Sequence, residues 1–249
     1  MATLPMNPIV NAGILYVNGL GISKSTSKIV IMATGAARDS TNTNDIVLGS
    51  AASINGATVG ANGVDVAVLV ASSLYAVYAI GDSSGYHAPA GVFSLSTTGP
   101  SLPFGYDMYR RVGYILTDGS SNILQFWQYG AGGSREMYYD VGISVLSAGT
   151  STTYANVDLT AAVPIASLNV LFDVAYTANS ATNLAQFLPY GSSATNGIVR
   201  VGSGAAAAQV SSVVIPCGVN SGKPEIQYKV SSGSDALTLL VTGYFDQLS

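Results

Sequence analysis

The chain has 249 residues and a formal net charge of -4, with 9% charged residues where an ordinary soluble protein has about 25%. Its nine Lys and Arg residues in a net acidic background exclude nucleic acid as the main partner, because phosphate binding requires clustered basic charge. The 15 Tyr and six Phe residues exclude the disordered class, which is poor in aromatic residues.

The terminal and apolar segments predict neither export nor a membrane anchor. Residues Met1–Met6 contain no basic region and no long apolar run, so we expect no signal peptide. The most apolar stretch, Val66–Gly81, has 16 residues, fewer than the ~20 that a spanning helix needs. The single cysteine, Cys217, has no partner for an internal disulfide.

Alternation with a period of two recurs along the chain, whereas helical spacing is nearly absent. It is clearest in Leu168–Tyr176 and Glu225–Val230, where every second residue is apolar. Many short strands joined by turns favour an all-β fold of antiparallel β-sandwich or jelly-roll-like modules. In chain order the predicted strands are Ile14–Val17, Lys28–Ala33, Asp45–Leu48, Val64–Val70, Leu74–Ile80, Gly91–Ser96, Arg111–Thr117, Asn122–Tyr129, Glu136–Asp140, Leu168–Tyr176, Gln209–Ile215, Glu225–Val230 and Leu237–Phe245.

Two turn-rich segments organise this series. Asp118-Gly119 readily supplies the positive φ values of a tight turn, so we predict a hairpin between Arg111–Thr117 and Asn122–Tyr129. The small, uncharged segment Ser147–Thr153 predicts a boundary between two tandem β modules, residues 1–147 and 148–249. The alternative is one large sandwich in which this segment is a loop. Residues Gly202–Ala208 are predicted to be a loop.

No catalytic or cofactor-binding constellation emerges, and we predict that the chain is not an enzyme. His87 is the only histidine, and no Gly-x-Ser-x-Gly elbow supplies a nucleophile for it. One His and one Cys exclude a zinc site. The loop Asp39–Asp45 offers oxygen ligands for calcium but lacks the EF-hand order, and an Asx-turn loop explains it as well. Cys217 is interpreted as a small buried apolar residue.

Four aromatic residues close together in the sequence are candidates for an interaction surface. They are Trp127, Tyr129, Tyr138 and Tyr139. Their rings could stack on sugars, whereas aromatic residues in strands more often belong to the core or to a subunit interface. A glycosidase would also need two facing carboxylates, and the sequence alone pairs none of the 13 acidic residues.

Four blocks, spread over about residues 30–130, have a distinctive order. They are Asp39–Leu48, Gly60–Asp65, Leu74–Asp82 and Leu102–Gly119. Together they resemble a block found in small structural proteins of tailed-bacteriophage virions, of the head-decoration and fibre type. The resemblance implies location in the virion after assembly in the host cytoplasm. It also implies homo-oligomerisation, with a trimer favoured, and contact with the major capsid protein or other virion proteins.

The adjacent pair Arg110-Arg111 lies within the last of these blocks. Because neighbouring strand residues point to opposite faces, one of the two arginines could meet a carboxylate on this chain or on a partner. The alternative is that both are solvated at a sheet edge.

Two functions follow from these observations. The first is a capsid decoration or cement protein, because a surface with few charges suits broad uncharged interfaces. The second is a tail or head-fibre component that attaches to host-surface glycans, with the C-terminal module as the recognition part.

Overall fold

A computed structural model describes residues 16–130, 132–202, 204 and 208–248. Within these residues the chain forms 20 strands and no helix, which confirms the all-β prediction. None of the described segments is therefore a helix long and apolar enough to cross a membrane.

Ten strands form the N-terminal half: β1 (Val17–Gly19), β2 (Ile22–Lys24), β3 (Ile29–Met32), β4 (Gly35–Arg38), β5 (Asp45–Leu48), β6 (Ala52–Asn55), β7 (Gly63–Val64), β8 (Leu74–Gly81), β9 (Ala90–Ser94) and β10 (Met108–Leu116). They build two three-stranded sheets, β1-β4-β5 and β2-β3-β6, and a four-stranded sheet, β10-β8-β9-β7. The pairing is antiparallel except between β7 and β9, which are parallel.

Ten further strands form the C-terminal half: β11 (Phe126–Tyr129), β12 (Ser134–Gly149), β13 (Ala155–Asp158), β14 (Ser167–Thr177), β15 (Leu184–Pro189), β16 (Val199–Gly202), β17 (Ala208–Pro216), β18 (Gly218–Asn220), β19 (Lys223–Val230) and β20 (Ala236–Gln247). One sheet has the order β11-β12-β20-β14-β17. The other has the order β13-β19-β15-β16, with β18 also paired to β19. Alternating apolar residues of both sheets belong to one buried cluster, as a sandwich requires.

The alternation predicted for β14 and β19 places their side chains correctly. Val170, Phe172, Val174 and Tyr176 of β14 are all buried. Leu168 is exposed because the register shifts between Ser167 and Asn169, so the residue leaves the predicted face.

Two predicted elements differ in the structure. The turn at Asp118 forms, since its carboxylate accepts hydrogen bonds from Ser120 N and Asn122 N. The start of the predicted hairpin also forms, because Thr117 and Ile123 make an antiparallel bridge. From Phe126 onward, however, the second strand pairs with β12 and not with β10. The predicted strand Val64–Val70 is also wrong, because only Gly63–Val64 pairs, whereas residues 65–67 bend and residues 68–70 join no ladder. Alternation reports which face is buried but not which strand is the neighbour.

The sheets change near residue 120 and not at the predicted boundary. Residue 147 lies inside β12, which pairs with β20 from Ser134 to Gly149. A single buried apolar cluster includes residues of both halves, from Val17 to Leu248. The division into two modules that fold independently stays a prediction. Of the predicted loop Gly202–Ala208, residues 203 and 205–207 lie outside the described residues.

Arg110 and Arg111 join the two halves. Both are 3% exposed, so the alternative of a solvated pair is wrong. Arg111 Nη1 donates to Asp246 Oδ2 at 2.6 Å and its Nη2 donates to Gln247 O at 2.6 Å. Arg110 Nη2 donates to Leu248 O at 3.3 Å. Arg110 and Arg111 are consecutive ladder positions opposite Ala79 and Tyr78 of β8, so they point to opposite faces of the sheet. Both are buried because both faces of β10 are covered along this stretch.

Candidate functional site

An aromatic platform lies on the outer face of the β11–β12 ladder. In this antiparallel pair Trp127 is opposite Tyr138 and Tyr129 is opposite Glu136. Opposed residues point to the same face of a sheet, so all four side chains share one surface. Trp127 is 42% and Tyr129 57% exposed. We call Trp127, Tyr129, Tyr138 and Glu136 the aromatic platform.

The platform is ordered by contacts among its own members. The rings of Tyr129 and Tyr138 meet edge to face, with centroids 5.7 Å apart and an interplanar angle of 76°. Tyr138 Oη donates to Glu136 Oε2 at 3.1 Å. Burial raises the pKa of Tyr138, and the hydrogen bond that its hydroxyl donates to the Glu136 carboxylate raises it further. Tyr138 is therefore a neutral hydrogen-bond donor at physiological pH.

The side chains that point inward from the same ladder hold the platform in place. Gln128 accepts a hydrogen bond from Ile22 N at 2.9 Å and donates to Val112 O at 3.0 Å. Arg135, which is buried, donates to Gly130 O at 2.7 Å and to Gly19 O at 2.6 Å. A short hairpin tied to the N-terminal half at both strands presents its outer rings on a fixed surface.

Three of the four predicted aromatic candidates therefore come together, and the fourth does not. Tyr139 points to the opposite face, is buried and donates through its hydroxyl to Ala162 O at 2.7 Å. The two arginine candidates lie in the interior contact described above. Glu136 was not predicted as a site residue, although it is one of only two glutamates in the chain.

The remaining candidates from the sequence take structural roles. The Asp39 carboxylate accepts hydrogen bonds from Thr43 N at 2.8 Å and Asn44 N at 3.2 Å, as in an Asx-turn loop. Burial acts to raise the pKa of Asp39, but these bonds and one from Thr41 lower it overall. No cluster of three or more His, Cys, Asp or Glu residues suited to a metal ion occurs in the ranges that the structure describes.

Neither His87 nor Cys217, the two side chains that could take part in nucleophilic catalysis, lies in a reactive arrangement. His87 Nδ1 lies 2.9 Å from Asp82 Oδ2, within one loop. No hydrogen bond joins His87 to a serine hydroxyl in the described part of the chain. Burial raises the pKa of the Cys217 thiol to about 11, so the thiol is protonated and unreactive near neutral pH. What the platform offers is stacking surface and hydrogen-bonding groups.

No protein-family model and no curated protein matches the chain. Among solved structures, it is similar to a carbohydrate-binding module, CBM6cm-2 from Cellvibrio mixtus lichenase 5A, which was solved in complex with cellotriose. The identity is 14%, the match covers 51% of this chain and 88% of the module, and the TM-score is 0.22. A likeness at this level supports no inference about function.

Proposed function

We propose that the chain is a non-catalytic attachment module that binds carbohydrate on the aromatic platform. The observation that carries this proposal is the co-facial set of two exposed rings and a polar Tyr138–Glu136 pair. A pyranose ring has an apolar face of C–H groups that packs on an aromatic ring. Its hydroxyl groups are donors that suit the Glu136 carboxylate.

The shape of the platform favours the flat face of a sugar chain over a single buried sugar. Trp127 and Tyr129 are two residues apart on β11, which separates their Cα atoms by about 6.6 Å. An extended chain of sugar rings lying on an open surface can contact both. Such a contact excludes little water, so affinity for a single site is expected to be low and to rise with several copies.

Replacing the exposed indole tests the proposal. We expect Trp127→Ala to weaken binding to a responsive polysaccharide about 30-fold, because truncating an aromatic anchor costs about 2 kcal/mol. The ligand would be found with the purified full chain on a glycan array, and its affinity measured by isothermal titration calorimetry. Trp127 is 42% exposed, so circular dichroism should show an unchanged fold.

Val47→Ala is the matched control, since Val47 is an exposed apolar residue on β5, outside the platform and its two strands. It should bind the same glycan as the unmodified protein does. Equal losses in both variants, or binding by Trp127→Ala at full strength, would count against the platform as the site. A chain that binds no polysaccharide on the array would sink the proposal.

The decoration role is the second candidate, and one observation favours it. Seventeen large apolar residues are exposed among the described residues, in a chain with 9% charged residues. Four of them, Val66, Val68, Val70 and Leu95, line one groove, and contiguous exposed apolar surface is typical of an interaction site. A decoration protein should bind mature phage heads and raise the temperature at which they disrupt. Absence of binding at micromolar protein would leave attachment to glycans as the favoured role.

A further inference from the structure

Two aromatic side chains project from neighbouring loops at one end of the sheet β10-β8-β9-β7. Phe104 is 98% and Tyr86 89% exposed. Their loops are in contact, since the rings of His87 and Tyr106 lie 5.5 Å apart. We call Phe104 and Tyr86 the aromatic tip. An exposed phenylalanine ring lacks the stabilisation of about 1.5–3 kcal/mol that its burial would give. Covering the tip with a second apolar surface is therefore favourable.

The tip is held rigid by hydrogen bonds and by turn geometry. Tyr106 N donates to Pro103 O at 3.1 Å, and Gly105 has a φ of +86°. A positive φ at the third position of a four-residue turn is what a type II turn requires. Tyr106 Oη also donates to Ala88 O at 2.9 Å, which links the two loops. A fixed tip loses little conformational entropy when it binds.

An apolar groove lies beyond the opposite end of β8 and β9. Its exposed members are Val66, Val68 and Val70 of the unpaired segment after β7, together with Leu95 after β9. The buried ring of Tyr75, at the start of β8, forms part of its floor. We call this set the apolar groove. Its volume is about 310 Å³, and an apolar cavity of about 150 Å³ holds benzene.

We infer that the aromatic tip of one copy of this chain inserts Phe104 into the apolar groove of a second copy. Phe104 does not fill the groove of its own chain, because its ring is almost fully exposed. Tip and groove are complementary in chemistry and size. Neither surface contains a Lys or Arg residue, and the one carboxylate that lines the groove, Asp65, already accepts a hydrogen bond from Ser101 N at 3.0 Å.

The expected area sets the strength of this contact. Two aromatic rings bury about 300–500 Å², and the matching surface of the groove brings the total to about 600–1,000 Å². Stable protein interfaces bury about 1,200–2,000 Å². One tip-to-groove contact is therefore weak, and association should depend on concentration unless several contacts close or copies are held side by side.

Complementation between two variants tests the inference. Phe104→Asp removes the tip and keeps the groove, whereas Val68→Asp removes the groove and keeps the tip. In sedimentation velocity from about 10 to 500 µM, the unmodified chain should gain mass with concentration and each variant should stay monomeric. Their equimolar mixture should regain association, because the intact tip of one variant meets the intact groove of the other.

Val47→Asp is the matched control, since Val47 is exposed on β5 and belongs to neither surface; it should associate like the unmodified chain. Phe104→Ser and Val68→Ser repeat the test without an added charge. A monomeric unmodified chain, loss of association in Val47→Asp, or a mixture that stays monomeric would each overturn the inference. Carbohydrate binding should survive in every one of these variants, because the aromatic platform contains none of the altered residues.

Discussion

Arg111→Ala is expected to destabilise the protein by about 3–5 kcal/mol, the usual cost of breaking a buried ion pair by removing one partner. Arg111 and Asp246 are both almost fully buried and lie 2.6 Å apart. The guanidinium also stacks over the Tyr114 ring at 4.7 Å. Its removal leaves a charged carboxylate in the interior with one strong donor fewer. Urea unfolding, followed by tryptophan fluorescence and circular dichroism, measures the loss.

Two further variants distinguish the cost of breaking the buried ion pair from the cost of losing the packing of the Arg111 side chain. Arg38→Ala removes the partly exposed bridge between Arg38 and Asp45, 3.3 Å long, and should cost less than about 1 kcal/mol. The double variant Arg111→Met with Asp246→Leu removes both charges and should recover most of the lost stability. If Arg111→Ala unfolds at the same urea concentration as Arg38→Ala, the contact between the two halves is not a stabilising one.

Burial patterns were predictable from the sequence, because in a half-buried strand apolar residues alternate with polar ones. Ile226, Tyr228 and Val230 of β19 are buried as their alternation predicts. Short strands of small residues, such as β4 (Gly35–Arg38), show no such alternation in their sequence. They are strands because the neighbouring β5 supplies hydrogen bonds, not because their own side chains favour it.

Long-range pairing was beyond the sequence. The hairpin after β10 was predicted from the Asp118 turn, but β11 continues into the sheet of β12 and β20. The contact of Arg111 with Asp246 joins residues separated by 135 positions. A local pattern contains no information about a partner so far along the chain. The sequence therefore predicts that one residue of the pair Arg110-Arg111 could meet a carboxylate, but it identifies neither which arginine nor Asp246.

The aromatic platform shows how far composition leads to a site. The sequence singles out Trp127, Tyr129, Tyr138 and Tyr139 together and does not distinguish among them, because exposed functional aromatics and core aromatics are the same residue types. Only the register of β11 against β12 separates Tyr139, which is buried, from Tyr138 beside it. The same register adds Glu136, the polar member that turns an apolar patch into a surface able to hydrogen-bond a sugar.

A second interior carboxylate, Asp235, organises two loops at the end of the C-terminal sandwich. It accepts hydrogen bonds from Tyr176 Oη at 2.8 Å, Asn179 N at 2.7 Å, Asn183 Nδ2 at 2.9 Å and Ser232 N at 3.0 Å. Burial acts to raise the pKa of Asp235, but these donors outweigh it, and the pKa is lowered overall. The ionised carboxylate is therefore the form that the fold favours.

Asp235→Ala should destabilise the protein by about 2–3 kcal/mol, because it leaves the buried Tyr176 hydroxyl and three partly buried donors without their acceptor. Asp158→Ala is the matched control: the bridge from Asp158 to Lys223 is 2.6 Å long but exposed, so its loss should cost less than about 1 kcal/mol. Urea unfolding at pH 7 measures both. Equal effects of the two substitutions would show that the donors around Asp235 find other acceptors.

The same carboxylate predicts a pH dependence with a defined sign. Because the native pKa of Asp235 is lowered, its contribution to stability is complete above the unfolded pKa of about 3.9 and is lost as the pH falls through the native pKa. The difference in unfolding free energy between the unmodified chain and Asp235→Asn should therefore be constant from pH 7 to about pH 5 and shrink below about pH 4. Other carboxylates titrate in the same window, but they do so in both proteins and cancel in the difference. A difference that is flat down to pH 2, or that grows as the pH falls, would contradict an ionised Asp235 at the centre of these loops.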